Sequence, residues 1–376
     1  MSEVHRLDSI CEIIMGQAPD GSAYNDDGYG WPLIAGPGDF GEHHPLPKKF
    51  TTEASKLSKP GDIVLSIRAT IGEKVISDGE YCLGRGVAGI RSKPQLDTRF
   101  LWHWLSHIKP KLAEKGKGAT FKQVNKQDID ELEITLPPIP EQRRIAAILD
   151  KADALRDKRR EALAQLDELT QSIFIEMFGD PVANPMGWPL SKLGDVGALD
   201  RGVSKHRPRN DPKLLGGKYP LIQTGDVANC DGYIHTHSNT YSESGLKQSK
   251  LWPVGTLCIT IAANIAKTGI LKIDACFPDS VVGFRTDSEA TVEYVRVWLS
   301  FLQKKLEESA PESAQKNINL AILRDLEVPL PPIVKQHSFH EALRKRNTLR
   351  ARLVANQYYL NSLFASLQHR AFRGEL

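Results

Sequence analysis

The residues best suited to chemistry in this chain are cations set in turn-rich loops. Lys205, Arg207 and Arg209 stand close to Lys213, and Lys109, Lys111, Lys115, Lys117, Lys122 and Lys126 follow one another through a second loop region containing Gly116 and Gly118. A turn after the apolar run Ile63 to Ile67 offers Arg68, Thr70 and Lys74, and a comparable turn later offers Asn264, Lys267 and Thr268. Glycine permits close backbone approach and Lys or Arg neutralises phosphate. Thr, Asn and Arg hydrogen-bond to base edges, so this is the chemistry that a DNA backbone and groove demand. Taken singly, each lysine reads as solvated surface; the clustering is the signal.

Other chemistries are weaker. Gly84-Arg85-Gly86-Val87-Ala88-Gly89 fits the dinucleotide fingerprint, but no helix pattern follows it as that mechanism requires. It reads instead as a turn entering a buried strand that exposes Arg85. His43-His44 and His235 with His237 lack supporting carboxylates or cysteines, and they read as loop histidines. Five scattered cysteines give neither a disulfide framework nor metal-ligand spacing. No catalytic triad, paired-carboxylate site or phosphate-binding loop is recognisable. A net charge of +3 is too small to argue for nucleic acid without the clusters. The N-terminus has no signal-peptide pattern, and the most apolar run, Leu257 to Ala266, is shorter than the ~20 residues a bilayer needs. A cytoplasmic chain is expected.

The elements that must position these loops come in two copies. Pro137-Pro138-Ile139-Pro140-Glu141-Gln142 returns as Pro331-Pro332-Ile333-Val334-Lys335-Gln336, an offset of 331 − 137 = 194. The same offset relates Gly61 to Gly255, Cys82 to Cys276, Gly89 to Gly283, Trp104 to Trp298, Lys122 to Lys316 and Phe178 to Phe372. Lys316 therefore joins the candidate cations. A period this long is no solenoid repeat, since those run roughly 20 to 50 residues, so each copy is expected to have its own core. Both copies lack a catalytic motif, which argues against an enzyme.

Each copy reads as a mixed, strand-rich domain followed by a long helix. Residues 1–136 form the first domain and 137–178 its helix; 179–330 form the second domain and 331–376 the last helix. Strands are expected at Ile63 to Ile67, Gly86 to Ile90 and Leu132 to Leu136. Leu101, Trp104, Leu105 and Ile108 mark a helical face. The long helices show heptads: Ile145, Ile148, Ala152, Leu155, Ala162, Leu166, Leu169 and Ile173 in the first, and Phe339, Ala342, Leu349, Leu353, Leu360, Leu363 and Leu367 in the second. Polar residues interrupt them at Arg159 and Asn356. Some 37 residues at ~1.5 Å each make a rod of about 55 Å. An apolar seam this narrow needs a partner, which the other copy supplies. Between Asp200 and Lys250 the copies diverge most, and the second is longer by about eight residues.

The stretch LPPIPEQRRIAAILDKADALRDKRREALAQLDELTQSIFIEMFGDP, Leu136 to Pro181, resembles the central conserved region of DNA-specificity subunits of type I restriction-modification enzymes. LPPIVKQ with its heptad helix is similar to their distal conserved region, and the resemblance extends over essentially the whole chain. It implies an α+β architecture: two target-recognition domains separated by two long helices in an antiparallel coiled coil, with pseudo-two-fold internal symmetry. It also implies a non-catalytic subunit in a phage-defence system. Each domain would read one half of a bipartite, asymmetric target in double-stranded DNA, while the helices set the spacer and dock two methyltransferase subunits. S-adenosylmethionine would bind those partners, none being expected in this chain, and separate motor-nuclease subunits would cut. No N/D-P-P-Y/F adenine-methylation motif is present, the nearest string being Asn184-Pro185-Met186-Gly187. The rival readings are a coiled-coil protein adaptor and a fragment of a single-chain methyltransferase.

Overall fold

The computed structural model describes residues 3–118, 122–262, 265–309 and 318–376. The first copy runs β1 (Glu3–Arg6), α1 (Leu7–Ile10), β2 (Cys11–Met15), β3 (Tyr24–Asn25), β4 (Trp31–Ile34), β5 (Lys49–Thr51), β6 (Ile63–Ser66), β7 (Lys74–Ile76), β8 (Cys82–Leu83), β9 (Val87–Ser92), α2 (Thr98–Glu114), α3 (Lys126–Asp130), β10 (Glu133–Leu136) and α4 (Ile139–Phe178). The second runs β11 (Leu190–Lys192), α5 (Leu193–Val196), β12 (Ala198–Arg201), β13 (Leu215–Leu221), α6 (Thr224–Ala228), β14 (Tyr233–Ile234), β15 (Asn239–Tyr241), α7 (Glu243–Lys247), β16 (Leu251–Trp252), β17 (Leu257–Thr260), β18 (Thr268–Leu271), β19 (Ala275–Cys276), β20 (Val281–Arg285), α8 (Glu289–Ser309), α9 (Leu320–Asp325), β21 (Glu327–Pro329) and α10 (Ile333–Ala371). Two compact units result, 1–160 with 355–376 and 161–354, so each consists of one globular domain plus half of each long helix.

The duplication is visible in the ladders. The main sheet is β2-β9-β6-β7 in the first unit and β12-β20-β17-β18-β14 in the second. Val64 pairs with Gly89 and Val75, and Cys258 pairs with Gly283 and Gly269, each 194 residues on. Ile14 also faces Gly89, whereas Asp200 faces Gly283, an offset of 200 − 14 = 186. The second copy thus carries eight extra residues (194 − 186) beyond its first sheet strand, absorbed by loops that leave the register intact. Glycine at 89 and 283 follows from packing: a Cβ would come within 2.9 Å of Leu83 Cδ1 in one and 2.7 Å of the Trp252 ring in the other.

One helix of each domain covers its sheet. Asp97 caps α2 by accepting from the Arg99 and Phe100 amides, and Phe100, Leu101, Trp104 and Leu105 are buried, the face the spacing predicts. In the first unit Ile145, Leu149, Phe364 and Ala371 join this core, and Phe100 meets Phe372 edge-on at 5.4 Å. The second unit has an aromatic centre in which Phe174 stacks on Tyr294 at 5.2 Å and meets Phe339 edge-on at 5.6 Å. Full burial of each such side chain contributes about 1.5–3 kcal/mol.

The halves of α4 and α10 within each unit run antiparallel. In the first, Arg144 donates to the Leu376 carbonyl (2.7 Å) and Arg156 to Asn361 (2.9 Å). In the second, Arg346 donates to the Leu166 carbonyl (2.7 Å) while Phe339 lies against Phe178. The seam, however, is rotated from the expected one. Ala152, Leu166, Ile173, Phe339, Leu353, Leu360 and Leu367 face inward, but the alternate slot falls one residue later, at Leu149, Arg156, Leu163 and Thr170, and at Leu343, Arg350, Gln357 and Phe364. Leu155, Leu169, Leu349 and Leu363 are 56%, 39%, 47% and 53% exposed. Choosing the apolar member of each neighbouring pair misleads because arginine lines a seam with its alkyl stem and pairs its head at the edge. Arg156 lies 4.4 Å from the Phe364 ring and reaches Asp153 at 2.7 Å; Arg346 and Arg350 reach Asp167 at 2.8 and 2.6 Å.

Candidate nucleic-acid interface

In the first unit four loop segments meet at one edge of the main sheet. Ile67, at the end of β6, donates to Gly86 (3.0 Å) in the β8–β9 turn and accepts from Val124 (3.1 Å). Ala69 donates to the Lys122 carbonyl (3.3 Å), and Lys117 and Gln123 exchange backbone bonds of 3.0 and 2.9 Å. Arg68 Nε donates to Gln123 Oε1 at 2.6 Å, which fixes the half-buried guanidinium. Arg68, Thr70, Arg85, Lys117 and Lys122 are thereby brought together, the last four exposed.

Lys74 does not join them. It opens β7, its ammonium sits 4.1 Å from the Trp102 ring centroid and donates to Ser106 Oγ at 2.5 Å. Burial pushes its pKa down to about 8. Strand alternation turns it toward α2 rather than toward the loop edge. Lys109 and Lys126 are likewise occupied, by Glu73 and Asp130.

The second unit builds the equivalent edge with other residues. Ile261 donates to Ser280 (3.0 Å) and accepts from Ile318 (3.0 Å), the same two bonds 194 residues on. Asn264 and Lys316 lie outside the described residues. Lys267 is half-buried, and Lys205 is exposed. Arg207 and Arg209 both reach the carboxylate of Asp279, Arg207 at 3.4 Å, and Arg201 Nε donates to the Asp279 carbonyl at 3.1 Å. Arg209 also walls an open pocket of about 410 Å³ floored by Leu221, Tyr241 and Pro278 and rimmed by Gln223, Asn239 and Ser280. In the first copy the equivalent turn lies close against the end of β4: Gly84 donates to the Ile34 carbonyl (2.8 Å), and a Cβ on Gly86 would fall 2.2 Å from the Ala35 oxygen. Proline at 278 has no N–H to repeat that bond.

This approach also explains the glycine-rich string 84–89, which turns into strand β9. His44 Nδ1 lies 2.9 Å from the Ile76 carbonyl oxygen, and no group of three or more His, Cys, Asp or Glu placed to hold a metal occurs among the described residues. No helix among them is long and apolar enough to cross a membrane.

The sequence profile of the type I restriction modification DNA specificity domain matches residues 2–167 and again 185–348. The chain belongs to this family. A Methanocaldococcus jannaschii chain described as the MjaX type I restriction enzyme specificity subunit is 39% identical over 163 residues, which take in 43% of this chain and 38% of that relative. The Escherichia coli EcoBI specificity subunit is 23% identical over 98% of this chain and 85% of its own length. Among solved structures, a chain from work on type I R-M complex assembly and conformational transition superposes with a TM-score of 0.65 at 20% identity, covering 100% of this chain and 98% of that one. The S subunit from M. genitalium superposes at 0.58 and 16%, covering 99% and 96%. These likenesses carry the fold.

A type I specificity chain is a DNA-recognition component and not a catalytic one. Three functional features escaped the sequence reading. Gln142 and Gln336 of the family's LPP-x-x-x-Q string are buried tethers at the starts of α4 and α10. Their position four residues beyond a Pro-Pro pair in both copies was the available signal. Asp279 organises the arginines of the second edge, and only its displacement of Arg85 in the repeat hinted at a role. The exposed leucines of the helices stand at repeat-related positions, Leu155 and Leu363 in one unit and Leu349 and Leu169 in the other.

Proposed function

We propose that the chain is the sequence-reading subunit of a type I restriction-modification complex, each globular domain reading one half of a bipartite, asymmetric target in double-stranded DNA. The observation that carries this reading is a basic loop edge at equivalent positions of two duplicated sheets, made from different side chains. A shared scaffold with different edges reads two different half-sites. Lys117, Lys122, Arg85 and Lys205 are exposed cations suited to phosphate; Thr70 and the guanidinium of Arg68 are suited to base edges.

Exposed leucines at repeat-related positions of the two units favour two copies of one protein partner, a methyltransferase subunit carrying S-adenosylmethionine, with motor-nuclease subunits joining the complex in the cytoplasm. Exposed apolar groups at repeat-related positions are what a pair of identical docked subunits needs. The helices set the spacer between half-sites, at about one helical turn or ~34 Å centre to centre.

The test is selection of bound DNA from a library with random half-sites and random spacer lengths, using the full chain. Two unlike short sequences at one fixed spacing are expected, with affinity falling steeply with salt. A chain that binds protein but shows no salt-dependent DNA binding is an adaptor. Methyl transfer to DNA by the isolated chain would place the chemistry here instead.

A further inference from the structure

The turn entering the last strand of the main sheet carries opposite charges in the two copies. Arg85 in the first becomes Asp279 in the second, since 279 − 85 = 194. Arg85 is exposed and forms no ion pair among the described residues. Asp279 instead collects arginines: Arg207 at 3.4 Å and Arg209 on its carboxylate, Arg201 on its carbonyl. Arg207 is further committed, donating to the carbonyls of Ser204 (2.5 Å) and His206 (2.9 Å). Among the described residues Arg209 is held through one terminal nitrogen, and its side chain is 44% exposed and lines the pocket beside Ser280.

Summed over Arg201, Arg207, Arg209 and Asp279 the charge is +2, against +1 for Arg85. Both turns are net positive, and they differ in freedom. A lone arginine follows whichever phosphate is near, whereas a guanidinium pinned by a carboxylate presents a fixed planar donor edge. The carboxylate also repels a phosphate oxygen approaching the same face. It is compatible with a neutral ligand that offers paired acceptors, and the guanine O6 and N7 edge in the major groove is that ligand.

We propose that Arg209, braced by Asp279 and Arg207, is a guanine-reading site of the second domain, with Asp279 its positioning residue. This deepens the function proposed above and rests on it. The experiment is binding-site selection and salt titration with the full chain and its Arg209→Ala, Arg209→Lys, Asp279→Asn and Asp279→Glu variants, after melting curves confirm that each is folded. Both Arg209 variants are expected to lose roughly ten-fold discrimination for guanine at one position of one half-site, leaving the other half-site untouched. Asp279→Asn is expected to lose the same discrimination while its salt dependence steepens by about one unit, because a freed guanidinium turns to phosphate; Asp279→Glu restores the preference. If Arg209→Ala weakens all sequences equally, or Asp279→Asn keeps wild-type discrimination, the site does not read guanine. A wild-type chain with no salt-dependent DNA binding would instead sink the parent reading, and this one with it.

Discussion

Gln142 and Gln336, 336 − 142 = 194 residues apart, are both 1% exposed, and both tie the first turn of a long helix to the proline pair before it. Gln142 Nε2 donates to the Pro137 carbonyl at 2.8 Å, and Gln336 Nε2 to the Pro331 carbonyl at 2.8 Å. Each also reaches the domain helix: Gln142 Oε1 accepts from the Asp97 amide (2.8 Å), beside the cap of α2, and Gln336 Oε1 from Thr291 Oγ1 (2.8 Å) in α8. One side chain thus ties the start of each long helix to its domain. Gln142→Leu or Gln336→Leu is expected to destabilise its unit by about 1–3 kcal/mol, because the remaining partners stay buried without bonds. Chemical denaturation measures this, and an unchanged midpoint would show the tether to be dispensable.

The rotated seam makes two leucines of one helix behave oppositely. Leu149→Asp places a carboxylate in a fully buried site and is expected to cost several kcal/mol. Leu155→Asp and Leu349→Asp, at half-exposed positions, are expected to leave the melting temperature within about 2 °C of wild type. The same two substitutions are expected to weaken binding of a methyltransferase subunit at least ten-fold by calorimetry. Full-strength association in both would remove these leucines from the docking reading.

Lys74 carries a pH signature. Its folded pKa, about 8, lies below the ordinary 10.5 because burial disfavours the ammonium. Between those values the unfolded chain binds more protons than the folded one, so stability from this group rises as pH goes from about 8 to 10.5, and the penalty is fully present below pH 8. Lys74→Met is expected to be more stable than wild type at pH 7, by about 1 kcal/mol after loss of the Ser106 bond and the Trp102 contact, with the gap closing toward pH 10. It should leave the salt dependence of DNA binding unchanged. Lys117→Ala with Lys122→Ala should lower that dependence by about one unit per lost phosphate contact. The reverse pattern would return Lys74 to the interface.

The spacer prediction tests the helices as a ruler. Duplicating one heptad after Ala162 and one after Asn356 adds about 10 Å to each helix. The preferred spacer is expected to lengthen by about three base pairs while both half-site sequences persist. An unchanged optimum in a folded insertion variant would show that the helices do not set the distance.

The duplication, the strand-rich domains, the two long helices and the family were all legible in the sequence, because each rests on local pattern. A constant offset, a Pro-Pro helix start and a heptad survive without knowledge of distant neighbours. The loop cations were legible as a set, and the fold of the first unit brings Arg68, Thr70, Arg85, Lys117 and Lys122 to one edge. What the sequence left open was the partner of each polar group. Lys74 and Arg68 lie in the same turn region, yet strand pairing sends one under Trp102 and the other to Gln123. Arg156 and Leu155 are neighbours, and the rotation of the helix pair decided that the arginine lines the seam while the leucine faces outward. Asp279 carries no motif; three arginines from an earlier strand and loop give it a role. Hydrophobic periodicity is fixed by residues three or four apart, whereas an ion pair or a buried amine depends on backbone brought in from tens of residues away, and only the folded chain supplies that.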